Sequence, residues 1–242
     1  MKRKHVRRLP ILLLALAVVL AVYAMEHAST PKVGEHAVVL ELFTSQGCSS
    51  CPPADELLHQ IAHDPRLEGK VIPLAFHVDY WNSLGWQDPF SSHQWSERQG
   101  EYVRALKLDG AYTPQIVVNG ARQMVGSNRT GIYAAIEQES QRPSEGQIMI
   151  TPSPGGYLVR AISTHRDADL VVVTYDDGAR TRVTSGENNG RTLSNDAIVR
   201  SLIRAKTMET KVEVPRGRGI AAFLQDRATR RIWSATAMMP KG

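Results

Sequence analysis

Apolar positions follow two rhythms along this 242-residue chain, and the change between them divides it. Up to about residue 142, short unbroken apolar runs alternate with segments of helical period. Val38, Val39, Leu40, Leu42 and Phe43 form a run of the kind a doubly covered strand uses, which predicts a buried strand over 36–44. Leu57, Leu58 and Ile61 then recur at helical spacing behind Pro52 and Pro53. The first helical turn has no intrahelical use for its N–H groups, so the prolines place a helix start at or just after Cys51. A second buried strand is predicted over 71–80, and a helix over 89–106 from Trp95, Tyr102 and Leu106 at spacings of seven and four. Residues 115–118 and 123–125 read as strands around Asn119-Gly120, the strongest short-range hairpin signal. Ser127 or Asn128 caps a helix over 130–140 with Ile132, Ala135 and Ile136 on one side.

Beyond Pro143 the helical period disappears. Strands are predicted at 147–151, 157–163, 169–175, 198–205, 212–214, 220–224 and 232–237, punctuated by Pro152-Ser153-Pro154-Gly155-Gly156 and Asp177-Gly178. Seven short strands without helices suggest a sandwich or barrel. The expected organisation is an α/β domain at 25–143 and a smaller all-β, sandwich-like domain at 144–242.

Residues 1–24 stand apart. Lys2, Arg3, Lys4, Arg7 and Arg8 precede an apolar run from Leu9 to Ala24, the layout of a secretory signal peptide. Val22-Tyr23-Ala24 offers a cleavage site, and an uncleaved anchor is the alternative that would bring the chain to a membrane. Export predicts a periplasmic or secreted bacterial protein, in a compartment where disulfides persist. The signal holds five of the 29 basic residues and none of the 24 acidic ones, so the remainder is neutral and gives no support to nucleic-acid binding. Charge is unevenly spread: residues 180–242 carry 13 basic and five acidic side chains. Arg180, Arg182, Arg191, Arg200 and Arg204 read as a solvated face before they read as an anion site.

Sulfur chemistry is confined to one place, because Cys48 and Cys51 are the only cysteines. A cysteine at a helix N-terminus has its thiolate stabilised by free N–H groups and the helix dipole, which makes Cys48 the candidate nucleophile and Cys51 the resolving thiol. Ser49 and Ser50 supply hydroxyl donors without charge. Seven of the 15 aromatics lie between Phe76 and Tyr102, and Tyr80, Trp81 and Trp86 on the loop after the second strand are candidates for a substrate-binding lip. Packing over the sheet edge is the alternative. Asp79 is a candidate proton shuttle for Cys51.

Strand, helix, strand, helix, strand, strand, helix, with Cys-x-x-Cys at the first helix start and Thr113-Pro114 before the hairpin, resembles the thioredoxin fold. That resemblance implies a cis Pro114 facing the dithiol and a Thr113 backbone that pairs with a substrate chain. More narrowly, residues 42–55, 77–82, Arg98-Gln99, 112–115 and 186–193 resemble an uncharacterised family of bacterial secreted proteins with a thioredoxin-like core. That family carries no established activity; the helix-start dithiol and the Thr113-Pro114 pair point to exported thiol–disulfide exchange on a protein or peptide thiol or disulfide, with no cofactor.

Two other readings stay open. Cys48–Cys51 as a permanent staple would leave a binding module, although a loop this short gains little from cross-linking. Cys48 and Cys51 with a histidine such as His77 form a donor set for Cu(I). Zinc held by both cysteines with His59 and His63 is excluded, since His59 lies eight residues beyond Cys51, about 12 Å along a helix. His59 and His63 are therefore read as a solvated helix face. No phosphate loop, dinucleotide fingerprint, nucleophile elbow or zinc-protease motif is present in the sequence.

Overall fold

The computed structural model describes residues 37–238; the expected signal peptide lies outside them. The first seven elements come in the order the sequence predicts: β1 (Val38–Thr44), α1 (Pro52–Ala62), β2 (Val71–His77), α2 (His93–Ala105), β3 (Gln115–Val118), β4 (Arg122–Val125) and α3 (Arg129–Ser140). Nine strands follow: β5 (Gly146–Ser153), β6 (Gly156–Ser163), β7 (Ala168–Asp176), β8 (Ala179–Arg182), β9 (Thr192–Asn195), β10 (Ile198–Arg204), β11 (Glu209–Glu213), β12 (Gly219–Asp226) and β13 (Ile232–Met238).

β1 and β2 run parallel, from Val38 opposite Val71 to Thr44 opposite His77, and every residue of both is buried. β3 lies antiparallel on the other side of β1 and turns into β4 through Asn119-Gly120, both left-handed, at φ 47° and 64°. Only glycine fits the second position, because a Cβ there would lie 1.8 Å from the Arg230 carbonyl oxygen.

The expected pairing of a compact α/β thioredoxin-like domain with a separate, smaller all-β domain is overturned. Among the described residues 41% are in strands and 19% in helices, and one mixed sheet of eight strands, ordered β13-β12-β7-β10-β2-β1-β3-β4, crosses the anticipated boundary. The reason lies at the outer edge of β2. A fully buried apolar strand left at a sheet edge exposes unpaired N–H and C=O groups, and β10 covers it. The seam is short, with Ile198 opposite Ala75 and the Ala75 N–H donating to the Ala197 carbonyl at 2.7 Å. Pro73, two residues earlier and on the same side of the strand, has no N–H to extend it.

One hydrophobic core accordingly takes Leu40, Phe43 and Phe76 from the first half together with Val171, Val173 and Phe223 from the second. A smaller core lies beneath a three-stranded sheet, β11-β6-β5, which packs Val159 and Val212 against Leu170, Ala222 and Leu224. β8 and β9 pair with each other alone.

Within the first core, Arg98 and Glu41 form a buried ion pair. The guanidinium lies 5.3–5.6 Å from the ring centroids of Phe76, Tyr102 and Phe223, and Tyr102 also donates to Glu41.

Candidate functional site

Where β1 ends at Thr44 the chain turns through Ser45-Gln46-Gly47, and Cys48 and Cys51 are joined by a disulfide with their Cα atoms 5.4 Å apart. Cys51 is the N-cap of α1, with Pro52 and Pro53 in the first two helical positions. Cys48 thus lies three residues before the N-cap, in a turn closed by the Cys51 N–H on its own carbonyl at 3.2 Å. This changes the expected electrostatics, because the two prolines have no N–H groups to offer a thiolate, and the helix dipole acts without them. The Ser50 hydroxyl, 3.3 Å from Cys48 Sγ, is in place as a donor.

Two of the anticipated lip residues and the Thr-Pro converge on this turn. The Thr113–Pro114 peptide bond is cis. Trp81 Nε1 donates to Thr113 Oγ1 at 2.8 Å, while a Cβ on Gly47 would lie 3.1 Å from Trp81 Cβ, so one indole spans from the residue before Cys48 to the residue before Pro114. A Cβ on Gly126 would sit 3.1 Å from Pro114 Cβ and 3.0 Å from that of Ala54, three residues after Cys51. Trp86 Nε1 donates to Gln46 Oε1 at 3.3 Å. Tyr80 is 41% exposed and directed to α2, where its hydroxyl donates to Gln99.

The roof over the disulfide comes from 140 residues away. Asn188, buried in the loop between β8 and β9, donates through Nδ2 to the carbonyls of Gln46 and Cys48 at 3.0 and 2.9 Å. Glu187 accepts from the Ser49 N–H at 3.0 Å, and Arg191 fixes the Asn188 side chain by donating to its Oδ1. Both cysteines are 0% exposed, while Ser49 and Ser50 face solvent. Two of the arginines of the basic second half are engaged in ion pairs: Arg200 with Asp176, and Arg204 with Glu101.

The floor is a buried polar network. Thr44 Oγ1 donates to Asp55 Oδ1 at 2.8 Å, and Asp55 lies one helical turn beyond Cys51. Burial pushes the Asp55 carboxyl up to about 6, against the opposing pull of His77. His77, beside Thr44 in the sheet and fully buried, is bonded through Nδ1 to Asp88 Oδ2 at 2.7 Å, and its Nε2 has no partner. Burial pulls the His77 pKa down, but Asp88, with Asp55 adding to it, more than offsets this and the net shift is upward. Asp88 also accepts from the Gln46 N–H at 2.8 Å, and Gln46 Nε2 donates to Asn195 Oδ1.

Asp79 is drawn elsewhere. Its carboxylate accepts from Ser96 at 2.5 Å and contacts His93 at 3.2 Å near the start of α2; these bonds outweigh its burial and hold it below the usual carboxylate range.

The histidine donors anticipated for sulfur-bound metal are not assembled. Among the described residues the group of three or more His, Cys, Asp or Glu with mutually close ligand atoms is His59, His63 and Asp196, which contains neither cysteine nor His77. His59 and His63 are not a merely solvated face, since both contact Asp196.

A family model described as "Protein of unknown function (DUF1223)" matches residues 39–228. The chain belongs to this family. No curated protein matches the DUF1223 chain. Among solved structures, a protein from Agrobacterium tumefaciens is 29% identical, with a TM-score of 0.70 over 88% of this chain and 97% of that one. HBP35 of Porphyromonas gingivalis is 14% identical, with a TM-score of 0.51 over 85% of this chain and 76% of that one, a likeness of fold alone.

The disulfide turn of the DUF1223 chain, its Thr-Pro and Trp81 were recognisable from sequence. No local pattern marks Asp55, His77, Asp88, Glu187 and Asn188 as parts of one site. The last two lie in the 186–193 segment that carries the family resemblance, which marks a loop without naming what it covers.

Proposed function

We propose that this protein is an exported thiol–disulfide exchange protein that works through Cys48 and Cys51. The observation that carries the reading is the convergence of the disulfide turn, Trp81 and the cis Thr113–Pro114 bond. In the reducing direction the Cys48 thiolate attacks a substrate disulfide and one substrate thiolate leaves. Cys51 gives its proton to Asp55 and attacks Cys48 Sγ, releasing the second substrate thiolate and closing the Cys48–Cys51 bond. Two electrons pass to the substrate, and the reverse steps oxidise a substrate dithiol. Asp55, rather than Asp79, handles the proton here, because it follows Cys51 by one helical turn and its carboxyl titrates near neutrality. Thr113, Trp81 and Trp86 border the path by which a peptide would reach Cys48.

A second reading, a binding module with a permanent disulfide, is favoured by the complete burial of both cysteines. Equilibration with glutathione separates the two. A potential above about −300 mV supports exchange, and one below it supports a staple. Trapping is the functional test: a Cys51→Ser variant is expected to hold mixed disulfides from periplasmic extract, and a variant that captures none counts against exchange.

A further inference from the structure

We infer that His59, His63 and Asp196 form a binding site for a divalent transition-metal ion of the zinc class, separate from the disulfide. His59 and His63 are four residues apart on α1, so one face presents both imidazoles, with ring centroids 4.5 Å apart. Asp196 faces them from the corner between β9 and β10, the two strands that bring the second half of the chain against α1 and β2. The candidate ligand atoms all lie within 4.8 Å of one another.

The geometry suits a metal. Ligands about 2.0–2.1 Å from a tetrahedral zinc stand about 3.4 Å apart. His63 Nε2 is 3.4 Å from Asp196 Oδ2, and His59 Nδ1 is hydrogen-bonded to the same oxygen, a bond that a bound ion would replace. The carboxylate is held by an outer contact, as metal-binding carboxylates usually are, through the Gly178 N–H donating to Oδ1 at 2.6 Å. That leaves Oδ2 for the ion. Among the described residues the only ion-pair partners of Asp196 are the two histidines, so no lysine or arginine occupies the place of a cation.

Exposure sets the access and the coordination number. Asp196 is nearly covered, at 6% of its side chain, whereas His59 and His63 are 48% and 54% exposed. An ion held between them therefore has its carboxylate anchored in the protein and its remaining position open to solvent, where water completes the coordination. Two nitrogens and one carboxylate favour zinc or its neighbours over calcium or magnesium, which take oxygen ligands.

The test uses the whole protein with its Cys48–Cys51 bond oxidised, so that sulfur cannot bind the probe. Zinc titrated calorimetrically is expected to bind at one ion per chain. His63→Ala and Asp196→Asn are each expected to weaken binding by tenfold or more, roughly what metal sites lose when their supporting contacts are removed. A Cys48→Ser/Cys51→Ser double variant is expected to bind as the parent does. His63 is exposed enough that His63→Ala leaves folding intact, and far-ultraviolet circular dichroism verifies this. Cobalt(II) in place of zinc adds a readout of the donor set, since its visible absorption depends on coordination number. Absence of saturable zinc binding, or binding unchanged in both His63→Ala and Asp196→Asn, would overturn the inference and leave a hydrogen-bonded His–Asp–His cluster.

Discussion

Replacing Asp55 with asparagine isolates the cost of an acid in the floor of the site. Its carboxyl rises from an ordinary 3.8 to about 6 because burial penalises the charged form. At about 1.4 kcal/mol per pKa unit, the ionised group costs the folded protein about 3 kcal/mol at neutral pH. This is an upper figure, because the residue is only half-buried and solvent screens part of the penalty. Between pH of about 4 and about 6 the folded chain keeps a proton that the unfolded chain has lost, so stability falls as pH rises through that window. Asparagine retains an oxygen to accept from Thr44 but cannot ionise. Asp55→Asn is therefore expected to be more stable than the parent at pH 7 by about 1–3 kcal/mol, with the difference vanishing once both are neutral near pH 3. Urea unfolding at half-unit pH intervals measures it. A variant less stable than the parent at pH 7, or a difference independent of pH, would refute the argument. Release of the mixed disulfide should also slow by about a hundredfold, the low end for removal of a positioned base.

Three further outcomes follow from named contacts. Asn188→Ala removes the donor to the Gln46 and Cys48 carbonyls and is expected to cost about 1–3 kcal/mol, with faster reduction of the disulfide by a small thiol, read by free-thiol titration. Arg98→Met leaves Glu41 buried without its partner and is expected to cost about 3–5 kcal/mol in guanidinium unfolding. The buried His77–Asp88 pair titrates from both ends: Asp88 is held low, so its contribution is lost as pH falls below about 4, and His77 is held high, so its contribution is lost as pH rises above about 6.5. His77→Gln is expected to flatten the upper limb of the urea-midpoint profile; an unchanged limb would assign it to another group.

What the sequence makes legible is what is decided within about twenty residues. The apolar run of β1, the prolines that open α1 and the Asn119-Gly120 hairpin are each set by local backbone chemistry. The joining of the sheet is not. β10 meets β2 at Ile198 and Ala75, a contact decided by the need to cover a buried edge rather than by any pattern in either segment. β8 and β9 are four-residue strands, ARTR and TLSN, without an apolar alternation strong enough to register. His59 and His63 illustrate the same limit at one residue: helical spacing gives their exposure correctly, while Asp196, which they face, lies 137 and 133 residues on.

That limit bears directly on how the disulfide can be reached. Its roof is Asn188 and Glu187, and its turn is held from below by Asp88 and Asn195 through Gln46, so three of these four supports come from the second half of the chain. The roof makes three hydrogen bonds to residues 46–49. At a net of about 1 kcal/mol each, breaking the two buried bonds from Asn188 costs about 2 kcal/mol, which keeps the open form at about one molecule in thirty. A thiol attacking from solvent meets that population, and its observed rate is lowered by the same factor. For the proposed exchange, burial of Cys48 is then no bar if an incoming chain makes up the difference by pairing with the Thr113 backbone. Under the proposed exchange function, the second half of the chain would set which molecules reach the sulfur, through a loop whose hold on the turn is measured in a few hydrogen bonds.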